Sequence, residues 1–184
     1  MESVGLKEWA IVGEAMGRGE QSLILRKGGI AEGRAGFSFR HSEFFLFPTF
    51  FHEQLAKTRL TDAEIPKERA GEIEIRFFAK VVAVKEISSW KMVNALEPLH
   101  ILQQAVVRER FDYDDRPGLH GALVRAFRLE PSWIFPDGPG YGGCRSWVAL
   151  PECPLETRFE PVLTDQEHER RAKEFHDLTC SGGL

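Results

Sequence analysis

The chain has 184 residues, 42% hydrophobic and 28% charged, with a formal net charge of −4. That length suits one domain, or one domain with an appendage, and buries roughly 70% of the unfolded surface without a disulfide or metal staple. No apolar run approaches the ~20 residues of a membrane span, which excludes a membrane partner of that kind.

The N-terminus, MESVGLKEWA, lacks the basic flank and apolar core of a secretory signal, so the expected address is the cytoplasm. The acidic excess is local. Residues 1–150 carry 20 acidic and 20 basic side chains, and the remainder carries eight and four. A neutral body leaves an anionic ligand open. Arginine outnumbers lysine sixteen to eight, and the planar guanidinium fork suits phosphate. Cys144, Cys153 and Cys180 are odd in number and too widely spaced for a zinc motif, so they read as reduced thiols.

In chain order, Glu2–Met16 places Leu6, Trp9, Val12 or Gly13, and Met16 at helical spacing, with Ser3 as N-cap and Gly17 and Gly19 as the stop. Trp9–Val12 reads alternatively as a short strand. Glu20–Lys27 encloses Leu23-Ile24-Leu25, a buried strand. Gly28-Gly29 then makes a turn whose N–H groups face an anion only in principle, because the phosphate-loop pattern is missing.

Gly36–Glu53 holds seven of the fourteen phenylalanines. Phe37, Phe39 and His41 share a strand face, and the strand either continues to Phe47 or turns at His41-Ser42 and returns as Glu43–Phe47. Pro48, with no N–H, ends it. Thr49–Leu55 begins a short helix carrying His52, and Lys57–Ala70 is a polar surface connection.

Gly71–Ile87 is the clearest strand, with Ile73, Ile75, Phe77, Ala79, Val81 and Ala83 on one face. Straight, it would reach roughly 50 Å, so it bends, bulges or splits. Trp90–Arg110 is helical in two pieces divided by Pro98. Leu119–Leu129 is a strand, Pro131–Gly143 a long ordered loop, Cys144–Leu150 a last short strand, and Thr164–Leu178 a charged helix. The irregular alternation predicts α+β, a single domain with a mixed or mainly antiparallel sheet, flanking helices and a C-terminal helix. The expected division is residues 1–163 as the body and 164–184 as the charged helix and frayed tail.

The segments LKEWAIVGEAMGRGEQSLILRKGGI, FFLFPTFFHEQ, LEPLHILQQAVVRERFDY and YGGCRSWVAL together resemble the bacterial domain-of-unknown-function 1802 family. The resemblance spans about Leu6–Leu163 and implies a single-domain prokaryotic protein. It brings no activity and no catalytic residues. At the level of architecture alone, a small β-rich domain with peripheral helices resembles the RNA- and modified-base-binding pseudouridine-synthase-associated folds.

Three candidate chemistries follow from the residues. His41, Glu43 and His52, with Glu53 in reserve, offer two imidazoles and a carboxylate for a divalent metal, in the manner of open transition-metal sites, with Glu43 also a candidate proton-transfer group. Against this, His41 in a turn and His52 on a helix surface carry no ligand role. Arg26, Lys27 and Arg40, followed by Arg108, Arg110, Arg125, Arg128 and Arg145, form two basic clusters interleaved with Phe111, Tyr113, Phe127 and Tyr141, a pattern suited to RNA or DNA. Paired with nearby acids, the same arginines are ordinary solvated surface. Cys144, after a glycine pair and before Arg145, is a candidate nucleophile with His100 or His120 as distant base, against a buried strand cysteine beside Trp147.

A nuclease at Glu72, Glu74 and Lys80 lacks the acid–x–lysine triplet. His100 reads as a core histidine, and His168 and His176 as solvent-facing. Nucleic-acid-associated binding or processing is the leading reading. A metal-dependent hydrolase and a non-catalytic interaction protein are the alternatives.

Overall fold

The computed structural model describes residues 3–27, 37–61, 64 and 66–180. The Gly28-Gly29 turn lies outside them. Seven strands form one sheet: β1 (Val4–Trp9), β2 (Leu23–Arg26), β3 (Glu43–Thr49), β4 (Glu72–Ile87), β5 (Leu119–Pro136), β6 (Trp147–Ala149) and β7 (Arg158–Pro161). Around them lie α1 (Ala10–Gly17), α2 (Trp90–Ala95), α3 (Gln104–Phe111) and α4 (Asp165–Cys180). The strand order is β2-β5-β4-β3-β1-β6, with β7 on β5. β1 and β3 are parallel and the other pairs antiparallel, so the chain is an α+β domain on a mixed sheet.

Alternation along β3 builds both sides of the core. Phe44 and Leu46 enter the larger buried cluster, and Phe45 and Phe47 the smaller, as a period of two requires. β4 and β5 form the long central pair. The outer edge of β5 is shared between β2, at His120–Leu123, and β7, at Phe127–Glu130.

Several expectations change. Glu2–Met16 is not one helix: β1 runs to Trp9 and α1 begins at Ala10 with Trp9, not Ser3, at its N-cap. Helical spacing there is coincidental, because Val4 and Leu6 already satisfy a strand buried between β3 and β6. Residues 37–42 form no strand, and β3 starts only at Glu43. Pro48 does not end it. β4 pairs only with Glu43–Phe45, so that edge of β3 is open at Pro48 and no ladder donor is needed there. His52 sits in a turn ahead of a 3-10 turn at Leu55–Lys57.

β5 continues through the expected loop to Pro136, because Trp133 and Phe135 alternate into the core opposite Ile75 and Ile73. The expected strand Cys144–Leu150 shortens to β6 and leaves Cys144 exposed before it. His168 is 8% exposed, turned inward on α4 rather than to solvent.

The split reading of Trp90–Arg110 holds, with Pro98 inside a 3-10 turn between α2 and α3. β4 is irregular as its length requires, with a register shift between Ile75 and Phe77, where β5 carries the extra residues, and a bulge at Val82 between Val81 and Ala83. α4 opens on a capping box. Thr164 Oγ1 accepts from the Glu167 N–H while Glu167 Oε2 accepts from the Thr164 N–H and hydroxyl.

Candidate functional site

The register break beside Arg76 makes the local structure that matters most. Ile75 pairs with Trp133 and Phe77 with Arg128, so Arg76 alone stands opposite four β5 residues and takes no place in the register. Ile75 packs into one cluster and Phe77 into the other, and Arg76 lines the surface cleft. α1 seats on Phe77 so closely that a Cβ on Gly17 would lie 2.1 Å from its ring. Arg128 fastens the same corner by donating to the Gly17 carbonyl at 2.8 Å.

These elements wall a cleft of about 880 Å³, closed by the ends of β1 and β3, residues 66–69 and the Asp137–Gly142 loop. Its lining includes Trp9, Phe47, Phe50, Ile73 and Tyr141, and its four cations, Arg18, Lys67, Arg69 and Arg76, stand among seven acidic side chains. Most of these cations are matched. Arg76 Nη1 lies 2.5 Å from Glu14 Oε1, Arg69 Nε 2.9 Å from Glu74, and Arg18 Nη2 2.8 Å from Glu20. Burial pushes the Glu14 carboxyl up, against the pull of the Arg76, Arg18 and Arg128 guanidiniums. Burial also pushes Glu74 up, but hydrogen bonds from Ser132 and Arg69 outweigh it and hold that carboxyl below its usual range. At the back, Glu8 is 4% exposed, accepts from the Trp9 N–H at 2.9 Å and faces Arg26 at 3.2 Å. A cleft of this volume admits a nucleotide-sized ligand.

Most residues singled out from the sequence lie elsewhere. His41 packs its ring 4.9 Å from that of Trp147, Glu43 pairs with Lys80 at 2.8 Å across the β3–β4 register, and His52 is exposed in its turn. Among the described residues no group of three or more His, Cys, Asp or Glu is placed to hold a metal ion, so the three are not brought together. Strand geometry separates them: β3 begins at Glu43, and His52 lies beyond its far end.

Cys144 is exposed, and one of its prospective bases, His100, is buried with Nδ1 accepting from the Leu102 N–H at 3.1 Å.

The arginines are dispersed by their partners. Arg26 faces Glu8, Lys27 pairs with Asp114 at 2.9 Å, Arg108 pairs with Asp112, and Arg125 pairs with Asp165. Arg110 donates to the Leu25 carbonyl at 3.1 Å and lies over Trp9, and Arg128 holds α1. Arg40 and Arg145 are exposed outside the cleft.

The cleft's own Glu14, Arg18, Lys67, Arg69 and Arg76 are absent from the candidates read in the sequence. The one signal for Arg76 is the Phe77-Phe78 doublet, which breaks the strand alternation beside it.

No curated protein matches the chain. Among solved structures it is similar to the crystal structure of ASCH from Zymomonas mobilis, at 11% identity over 94% of each chain with a TM-score of 0.44. Two point mutants of that protein match at 12% and 13% identity, covering 94% of this chain and 95% and 98% of theirs, with TM-scores of 0.44 and 0.42. The family model described as Domain of unknown function (DUF1802) matches residues 5–174, and the chain belongs to that family.

Proposed function

We propose that the protein is a nucleic-acid-associated binding domain whose cleft receives an unstacked base of a single strand. The observation that carries this is a cleft lined by Trp9, Phe50 and Tyr141 together with Arg18, Lys67, Arg69 and Arg76. Aromatic faces stack any base, and guanidinium or ammonium groups at the rim track the phosphates. The Arg–Glu pairs add donors and acceptors side by side, the groups a polar base edge needs.

Support comes from the cleft and not from the two basic clusters of the sequence, most of whose members are committed to partners. Fluorescence anisotropy with short single-stranded and duplex RNA and DNA, each at low and moderate salt, tests the reading. Single strands are expected to bind better than duplexes, with affinity falling as salt rises. Phe50→Ala is expected to weaken single-strand binding by about 1–3 kcal/mol. Absence of binding at low salt, or equal binding of duplex and indifference to Phe50→Ala, overturns it.

A further inference from the structure

Resting on the cleft reading, we propose that Glu14 is an internal stand-in for phosphate. It holds Arg76 in the unliganded cleft, and a backbone phosphate of the bound strand takes its place.

The register break is the first ground. Between Ile75–Trp133 and Phe77–Arg128 one β4 residue stands opposite four of β5, and that one residue is an arginine turned to the cleft with 43% of its side chain exposed. The second ground is how the guanidiniums near Glu14 are held. Glu14 feels those of Arg76, Arg18 and Arg128; Glu20 pairs with Arg18, and Glu74, paired with Arg69, adds a more distant pull on Arg76. Arg128 is fixed by the Gly17 carbonyl and Arg18 by Glu20, whereas Arg76 is held only through Glu14 among its described side-chain hydrogen bonds. A guanidinium released from its one carboxylate accommodates a phosphate, which offers more acceptor oxygens than a carboxylate and takes a guanidinium in bidentate fashion.

The third ground is the state of Glu14 itself. Its side chain is 17% exposed, so as an anion it has lost much of its hydration, and burial disfavours its charged form. Exchange with phosphate returns the carboxylate to water through the cleft mouth, which offsets part of the cost of breaking its pair. Arg69 does not share this arrangement. It pairs with both Glu72 and Glu74 on the rim, where all three side chains are more open.

The test is anisotropy with a short fluorescein-labelled single-stranded RNA against wild type, Glu14→Gln, Arg76→Ala and the double variant, each checked by thermal melt. Glu14→Gln is expected to tighten binding about three- to tenfold, because a neutral amide competes less for Arg76. Arg76→Ala is expected to weaken it about tenfold and to lower the salt slope by about one. The double variant is expected to match Arg76→Ala and leaves no unpaired buried carboxylate, which guards against misfolding of the single variant. Weaker binding by Glu14→Gln overturns the stand-in and makes Glu14 a positioning residue for Arg76. A Glu14→Gln gain that persists without Arg76 also overturns it, as simple removal of negative charge. If the gain fails while Phe50→Ala still weakens binding, the stand-in falls and the cleft reading survives. Absence of binding by wild type and every variant removes the cleft reading.

Discussion

His100 shows how one residue's chemistry is set by its surroundings. It is 3% exposed, and its Nδ1 accepts from the Leu102 N–H, which leaves no lone pair there for a proton. Burial lowers its pKa from 6.5 to about 3, and the Arg59 and Arg110 guanidiniums push the same way. The unfolded chain takes up this proton near pH 6.5 and the folded chain only near 3. The contribution is therefore complete above pH 6.5 and is lost progressively as the pH falls toward 3. Between pH 7.5 and 5 the loss is about 2 kcal/mol. Urea unfolding of wild type and His100→Gln at both pH values checks this: the variant is expected to lose that part of the pH dependence. The ordinary reading of His100 as core was legible, because it falls in the apolar stripe of Leu99, Leu102 and Val106. His168 was not. It is surrounded by charged residues in sequence, and only the docking of α4 turns it inward.

At the scale of elements, β4 shows what a periodic pattern carries. Its alternation and length announce a long, irregular strand, and two register breaks are there. Their positions are not announced, because a break is decided by which residues of β5 lie opposite. The consequence reaches α1. With Phe77 turned into the larger cluster, Gly17 meets its ring with no room for a side chain. Gly17→Ala is expected to cost about 1–3 kcal/mol by overpacking, read as a lowered denaturation midpoint with an unchanged slope. A neutral result would show that Phe77 has room to move. The N-terminal segment teaches the converse. Leu6, Trp9 and Met16 fit a helix by spacing, yet backbone pairing with β3 and β6 makes the first half a strand.

For the whole molecule, α4 is the element whose independence is open to measurement. Phe175 is 2% exposed and belongs to the same buried cluster as Leu6, Leu23 and Val93. Arg171 adds a bond to Ser22 Oγ at 2.8 Å. Helix and body are thereby expected to unfold together. Phe175→Ala is expected to lower stability by about 3–5 kcal/mol, with far-UV dichroism and tryptophan fluorescence still tracing one transition. Two separated transitions would instead make the terminal helix a unit of its own. The cleft belongs to this scale as well. Its walls come from residues as far apart as Glu8 and Gly142, and no local window of sequence contains them.

The sequence alone determined the fold class, the family, the long central strand and the charged terminal helix. Each rests on local periodicity or motif. Tertiary structure decided the rest. It paired the conspicuous arginines with acids distant in sequence, because a guanidinium that leaves water needs an anion or carbonyl wherever the fold supplies one. It separated His41, Glu43 and His52, because a strand carries its two ends apart. It also gathered Glu14, Arg18 and Arg76 around a register break whose place is fixed only when β5 lies beside β4 and α1 packs on Phe77.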